Sequence, residues 1–144
     1  MDPLEAAVDG IVAAVTEVNS RLAESPVGRA YSRVKDSLPA IPERRLATPF
    51  GEIKTPDMTL PELAVLKLDD RRREAIKAAV AIDLSFLISL IPLVGDLVAD
   101  VIEDTYGEKL KETLTDREFS AYMRHDKFGP STIAAVRALS AGRP

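Results

Sequence analysis

The chain has 144 residues, 46% of them apolar and 29% charged, with 23 acidic against 19 basic side chains and a formal net charge of −4. This balance supports a globular chain with a core of its own and excludes disorder by composition. The net acidity lacks the basic surplus that a nucleic-acid binder uses to displace counterions from phosphate, so no nucleic-acid partner is expected.

Residues that carry chemistry are scarce. There is no Cys, no Trp and a single His, at position 125, which excludes Cys/His zinc sites, thiol catalysis and disulfide scaffolds. No G-x-S-x-G elbow, P-loop or G-x-G-x-x-G occurs. The expectation is therefore a protein that is not an enzyme, with no cofactor, no metal and no small-molecule substrate. The opening Met1-Asp-Pro-Leu-Glu5 lacks a basic segment leading into an apolar one, unlike a secretory signal. A cytoplasmic or membrane-associated location is expected, and a place in a virion is consistent with it.

Asp2, Pro3 and Glu5 form a helix-start pattern. Leu4, Val8, Ile11, Val15, Val18 and Leu22 then recur at alternating spacings of four and three. This heptad seam predicts a helix over residues 3–24, packed either on the rest of the chain or on a second copy. Ser25-Pro26 next introduces a shorter helical pattern through Val27, Ala30, Tyr31, Val34 and Leu38.

The character changes between Leu38 and Pro61, where Pro39, Pro42, Pro49, Pro56 and Pro61 supply five of the ten prolines and prevent a helix of useful length. Leu46 to Thr55 can form a small hairpin, with Pro49 at the second turn position and Gly51 free to take positive φ. An isolated two-stranded hairpin is marginal in water. The arm is therefore expected to lie across a surface, either the chain's own helices or a neighbouring subunit. With the seam, it makes a homo-oligomer the expected state.

After a short apolar turn through Leu68, with Asp69 as a cap, the basic segment Arg71 to Lys77 leads into AAVAIDLSFLISLIPLVGDLVADVI over residues 78–102. Its longest charge-free part, Leu84 to Gly95, is 12 residues, against the about 20 that a span requires. Asp83, Asp96 and Asp100 oppose insertion further, since each costs up to about 3 kcal/mol in the middle of a span.

A helical hairpin broken at Pro92 fits better. Its first arm runs over about residues 70–91. In the second, Leu93, Val94, Leu97, Val98, Val101 and Ile102 share one face, with Asp96, Asp100, Glu103 and Asp104 mainly on the other. Folded antiparallel, it puts Lys77 near the level of Gly107 and the arginines near Lys111 and Glu112. Phe86, Leu87, Ile88, Leu90, Ile91, Leu93 and Val94 concentrate at the tip. They form either the buried core or a membrane or partner contact, with Arg71, Arg72, Arg73 and Lys77 placed to meet anionic headgroups.

The segment Ile91-Pro-Leu-Val-Gly-Asp96, between two apolar helical stretches, resembles the Ile-Pro-x-x-Gly-Asp turns of small membrane proteins and of hydrophobic regions near bacterial toxin domains. The resemblance implies membrane contact and brings no catalytic residue with it.

Tyr106-Gly107 reads as a helix stop. Three modest helices are expected after it: about 108–114, one announced by the capping box Thr115 to Glu118, and one after Gly129-Pro130-Ser131. They read as a cover over a core made elsewhere. Asp83 falls near the level of Asp100 in the hairpin, a pairing that reads as a solvated acidic face plus one satisfied polar residue rather than a cation site. His125-Asp126 reads as surface.

The sequence thus predicts an all-α protein with N-terminal helices (1–38), a proline-rich arm (39–61) and a C-terminal helical region (62–144). The expected function is a non-enzymatic structural or assembly subunit, self-associating through helix and arm and touching a membrane through the 84–95 tip. The alternative is a soluble helical binding module whose apolar hairpin is its core.

Overall fold

In the computed structural model, described for residues 3–24, 40–41, 43, 45–48, 51–55, 58–64, 66–93, 95–126 and 130–141, the chain is mostly helical. The heptad seam forms α1 (Pro3–Glu24) and the apolar segment forms α2 (Asp70–Ser89) and α3 (Gly95–Thr113). Two shorter helices follow, α4 (Asp116–Asp126) and α5 (Ser131–Ala141). The segment expected as a helix over 27–38 and the cap at Asp2 lie outside the described residues.

Of the helix caps read from the sequence, those at Asp69 and Thr115 are made. Asp69 Oδ1 accepts from the backbone N–H of Arg72 at 2.8 Å, which starts α2. At α4, Glu118 Oε1 accepts from Thr115 N at 2.9 Å while Thr115 Oγ1 accepts from Glu118 N at 3.2 Å, a reciprocal capping box.

The arm folds back on itself. Strands β2 (Arg45–Thr48) and β3 (Gly51–Lys54) pair antiparallel with Thr48 opposite Gly51, and Gly51 has φ 121°. Around this hairpin, β1 (Ala40–Ile41) pairs with β4 (Met58–Thr59). Ile41, Ile53, Met58 and Leu60 are buried against the helices. These four side chains belong to the chain's own core, which is what makes two-stranded pairs stable here.

The described part of the seam packs on the same core. Val8, Ile11 and Val15 are fully buried and Val18 is packed against the same core. This described part of the seam is covered by the chain itself. The side chains of Leu4 and Leu22 lie outside the described residues. Asn19, beside the seam, donates through Nδ2 to the carbonyls of Leu63 and Leu66 at 2.8 and 2.7 Å. It thereby fastens α1 to the short 3₁₀ turn Pro61–Ala64 and satisfies carbonyls that burial would otherwise orphan.

The centre of the molecule is α2, which touches α1, α3, α5 and β3. Ala75, Ala78, Ala79 and Ala81 on α2, with Ala134, Ala135 and Ala138 on α5, are all buried; small side chains let the helices approach closely while Ile76, Leu84, Val136 and Leu139 fill the space between. The reading of the C-terminal helices as a thin cover fails at α5, whose Thr132, Ala135, Val136 and Ala138 have no exposed surface.

The α2–α3 hairpin has the expected antiparallel register. Lys109 pairs with Glu74 at 3.5 Å and Arg71 Nη1 donates to the Thr113 carbonyl at 3.3 Å, so the arginines do lie at the level of the end of α3. The expected stop at Tyr106-Gly107 is corrected: α3 runs through to Thr113. An isolated glycine costs a helix only about 1 kcal/mol, and no cap residue in αL geometry is present there.

Candidate functional site

The closed end of the hairpin is built by Leu90, Ile91, Leu93 and Gly95. Leu90 N–H bonds back to Leu87 O and Ile91 N–H to Ile88 O, which closes α2 one turn before Pro92. Leu93 takes a φ of 79°, the one non-glycine among the described residues to do so, a conformation that costs an L-residue of this bulk about 1 kcal/mol or more. Gly95 then opens α3 so near α2 that an added Cβ would run into the carbonyl oxygen of Ile88.

That close approach decides which side of α3 faces inward. Gly95, Ala99 and Ile102 are buried, while Leu97 and Val101 are 72% and 66% exposed. The apolar face expected to line the hairpin is therefore largely turned out. Leu97 and Val101, four residues apart, share one side of α3, and Leu93, at 99% exposure on the turn just before it, adds to the same exposed apolar stripe. Leu90 at the apex and Phe86 one turn back along α2 are exposed as well.

The expected tip residues thus divide. Phe86, Leu90 and Leu93 are available for contact, and Leu87 and Ile91 are half-buried against the core. Ile88 is fully buried, a correction that follows from its carbonyl packing under Gly95 and its side chain facing the helix bundle. Val94 lies outside the described residues. Leu97 and Val101, which the sequence puts on one apolar face of the second arm, join the surface; only the smallness of Gly95 and Ala99 on the opposite side signalled it.

The charges are also divided. Arg71 forms a bidentate pair with Glu118 at 2.6 and 3.2 Å, Arg72 pairs with Asp69 at 2.6 Å, Arg73 with Asp70 at 3.4 Å, and Lys77 with Asp9 at 3.2 Å. The hydrogen bond from Arg72 N–H holds the Asp69 carboxyl below its ordinary value, and the Asp9 hydrogen bond raises Lys77. These four cations, which the sequence places to meet anionic headgroups, each have an acidic partner in the chain. They are committed to internal acids, and Arg71 lies about 22 Å along α2 from Phe86, at the end of the hairpin remote from the tip. By contrast, Asp96, Asp100, Glu103 and Asp104 are exposed beside the stripe and make no ion pair with any described residue.

Asp83 has a role the sequence did not suggest. Its Oδ1 and Oδ2 accept from the backbone N–H groups of Ser131 and Thr132 at 2.6 and 2.8 Å. It caps α5 from another helix and places a carboxylate on the positive end of that helix's dipole. Among the described residues no cluster of His or acidic side chains could hold a metal ion, and no helix is long and apolar enough to cross a membrane. His125 is exposed on α4.

A cavity of about 630 Å³ opens beside the tip, between α1, the arm, α2, α3 and the start of α5. Apolar side chains from Ile11, Met58, Leu84 and Leu87 line it, with Asp83, Ser131 and Thr132 at the start of α5 and Phe86, Asp100 and Glu103 where it meets solvent.

The chain matches no protein-family model, no curated protein and no solved structure, so the site is argued from its own geometry.

Proposed function

We infer that the protein is a non-enzymatic binding or assembly subunit whose working surface is the stripe Leu93, Leu97 and Val101 with the apex at Leu90. The observation that carries this reading is that Leu90 and Leu93 on the turn and Leu97 and Val101 on α3 are exposed while Gly95 and Ala99 are buried. Burial of each would yield about 1.5 to 3 kcal/mol, which is available only on contact with something else.

The chemistry beside the stripe favours a protein partner over a lipid surface. Asp96 and Asp100 adjoin Leu97 and Val101 in sequence, so a bilayer that took up the stripe would take up unpaired carboxylates at up to about 3 kcal/mol each. The cations that would meet anionic headgroups are paired at the far end of α2. A basic amphipathic helix matches both features, setting apolar knobs on Leu93 and Leu97 and cations on Asp96, Asp100 and Asp104. Two-fold packing of the stripe on a second copy would instead bring the two sets of acids together.

Fluorescence anisotropy with two designed peptides, a Leu/Lys and a Leu/Glu amphipathic helix of equal length, tests the reading. The Leu/Lys peptide is expected to bind at least about tenfold more tightly, and Leu97→Asp to remove binding with the far-ultraviolet circular dichroism unchanged. Equal binding of the two peptides, or insensitivity to Leu97→Asp, overturns it. So does flotation with phosphatidylcholine vesicles that is lost in Leu93→Asp, since that outcome assigns the stripe to a membrane.

A further inference from the structure

Residues 95–106 of α3 pack on a different side from the one their sequence marks as apolar. Successive helical residues lie about 100° apart. On that wheel Leu97, Val98, Val101 and Ile102 centre one face, and Gly95 and Ala99 lie about 100° round from its middle, with Ile102 between. An amphipathic helix ordinarily buries its apolar face. Here Gly95, Ala99 and Ile102 are buried, Val98 is half-buried, and Leu97 and Val101 are left in water.

No polar contact holds this segment in that orientation. The side-chain ties between α3 and other elements, among the described residues, are the Lys109–Glu74 pair and the hydrogen bond from Arg71 to the Thr113 carbonyl. Both lie beyond Gly107. Thr105 Oγ1 donates within the helix, to Val101 O at 2.8 Å. The segment also ends at two places suited to backbone rotation. Leu93 stands at φ 79°, a conformation that costs a leucine energy to hold, and a Cβ at Gly107 would meet nothing within 4 Å. Between them α3 leans chiefly on α2, and the cavity of about 630 Å³ runs along its Ala99, Asp100 and Glu103 side.

We propose that residues 95–106 have two packings on α2: the one described, which presents the stripe, and a second, rolled by about 90° about the helix axis, which turns Leu97 and Val101 inward and hides it. The same roll carries Val98 and Ile102 toward the cavity and turns Ala99, Asp96, Asp100 and Glu103 to water. The described packing gains the close approach that Gly95 permits. The rolled one gains burial of Leu97 and Val101 with α3 standing further from α2, and helix pairs adopt spacings of about 8 to 10 Å according to the side chains between them. Packed helices switch between such arrangements rather than deforming continuously. The proposal rests on the stripe being the working surface and supplies its regulation, because a partner helix engages the first packing alone and its apparent affinity scales with the fraction of chains in it.

The chain has no Cys, so single cysteines report on each position of the full chain without background. Position 99 is buried in the described packing and faces water in the rolled one. Position 85 lines the same cavity and is buried, and it stays so in both. Labelling of Ala99→Cys with dithionitrobenzoate is expected to run at least about tenfold faster than that of Ser85→Cys, at a rate that low urea leaves unchanged. Saturation with the Leu/Lys peptide is expected to slow labelling at 99 by about fivefold or more, without effect at 85. Ala99→Glu provides a second measurement, since a carboxylate at 99 is tolerated in the rolled packing and not in the described one. It is expected to keep its helical circular dichroism and a Tm within about 10 °C of the parent, and to bind the peptide at least about tenfold more weakly. Equal labelling at 99 and 85, rates at both that rise together with urea, a peptide that binds without slowing position 99, or an Ala99→Glu chain that loses helix or keeps full affinity each overturns the proposal. If the peptide does not bind the parent, the reading of the stripe falls, and the labelling rates without peptide still decide the roll.

Discussion

Glu118 does two jobs at one place. It closes the capping box of α4 with Thr115 and takes both arms of the Arg71 guanidinium, with its side chain only 7% exposed. Burial pushes its carboxyl up, yet the Arg71 and Thr115 hydrogen bonds outweigh that and hold it below the ordinary glutamate value; the same pair raises Arg71. A carboxyl depressed in the folded state adds stability above its unfolded pKa of about 4.5 and loses it as pH falls through the lower folded value. Arg71 stays charged throughout this range. Glu118→Gln is therefore expected to lower stability at pH 7 by about 1 to 3 kcal/mol, and the gap between variant and parent should close below about pH 4. Urea unfolding at pH 7, 5 and 3 measures this. A gap that stayed constant with pH would mean that the glutamate acts through packing, not charge.

At the scale of elements, the two glycines of α3 separate what was legible in the sequence from what was not. The pattern of Asp69, Thr115 and Glu118 announced two helix starts, because a cap is a local interaction between residues three apart. The hairpin register followed from helix length alone. Gly107 was misread as a stop because a glycine signals a helix end only when its backbone turns left-handed, and here α3 continues. Gly95 was read only as part of a turn, although it decides that Leu97 faces out, because its role depends on how near the Ile88 carbonyl comes. Asp83 was equally hidden, since its partners lie 48 and 49 residues away. The two glycines should respond oppositely to the same change. Gly107→Ala meets nothing within 4 Å and is expected to stabilise by about 0.5 to 1 kcal/mol. Gly95→Ala must move α3 off the Ile88 carbonyl and is expected to cost about 1 to 3 kcal/mol, with both read from the denaturation midpoint. If Gly95→Ala were neutral, the close approach that turns the stripe outward would not be a constraint.

For the molecule as a whole, what matters is where the apolar residues of the seam and the arm lie. The seam on α1 and the apolar residues of the arm were the features that suggested an oligomer, and both are interior: Val8, Ile11 and Val15 from one, Ile41, Ile53 and Met58 from the other, in a single connected cluster with α2 and α5. Heptad spacing fixes that a helix has an apolar side and leaves open whether a second chain or the same chain covers it. Proline spacing likewise excludes a helix without saying what the extended segment lies on. An arm that wraps a partner can be removed at the cost of assembly, whereas an arm that closes a core cannot be removed without loss of the fold. Deleting residues 39–56 would take Ile41 and Ile53 out of the core and open α1 to water, a loss of about 1.5 to 3 kcal/mol for each of these side chains alone. Against a total stability of about 5 to 15 kcal/mol, that deletion is expected to abolish cooperative thermal unfolding, and light scattering of the intact chain should give the mass of a monomer. A deleted chain that unfolds cooperatively near the parent Tm while an intact dimer falls to a monomer would return the arm to the role of an intermolecular strap.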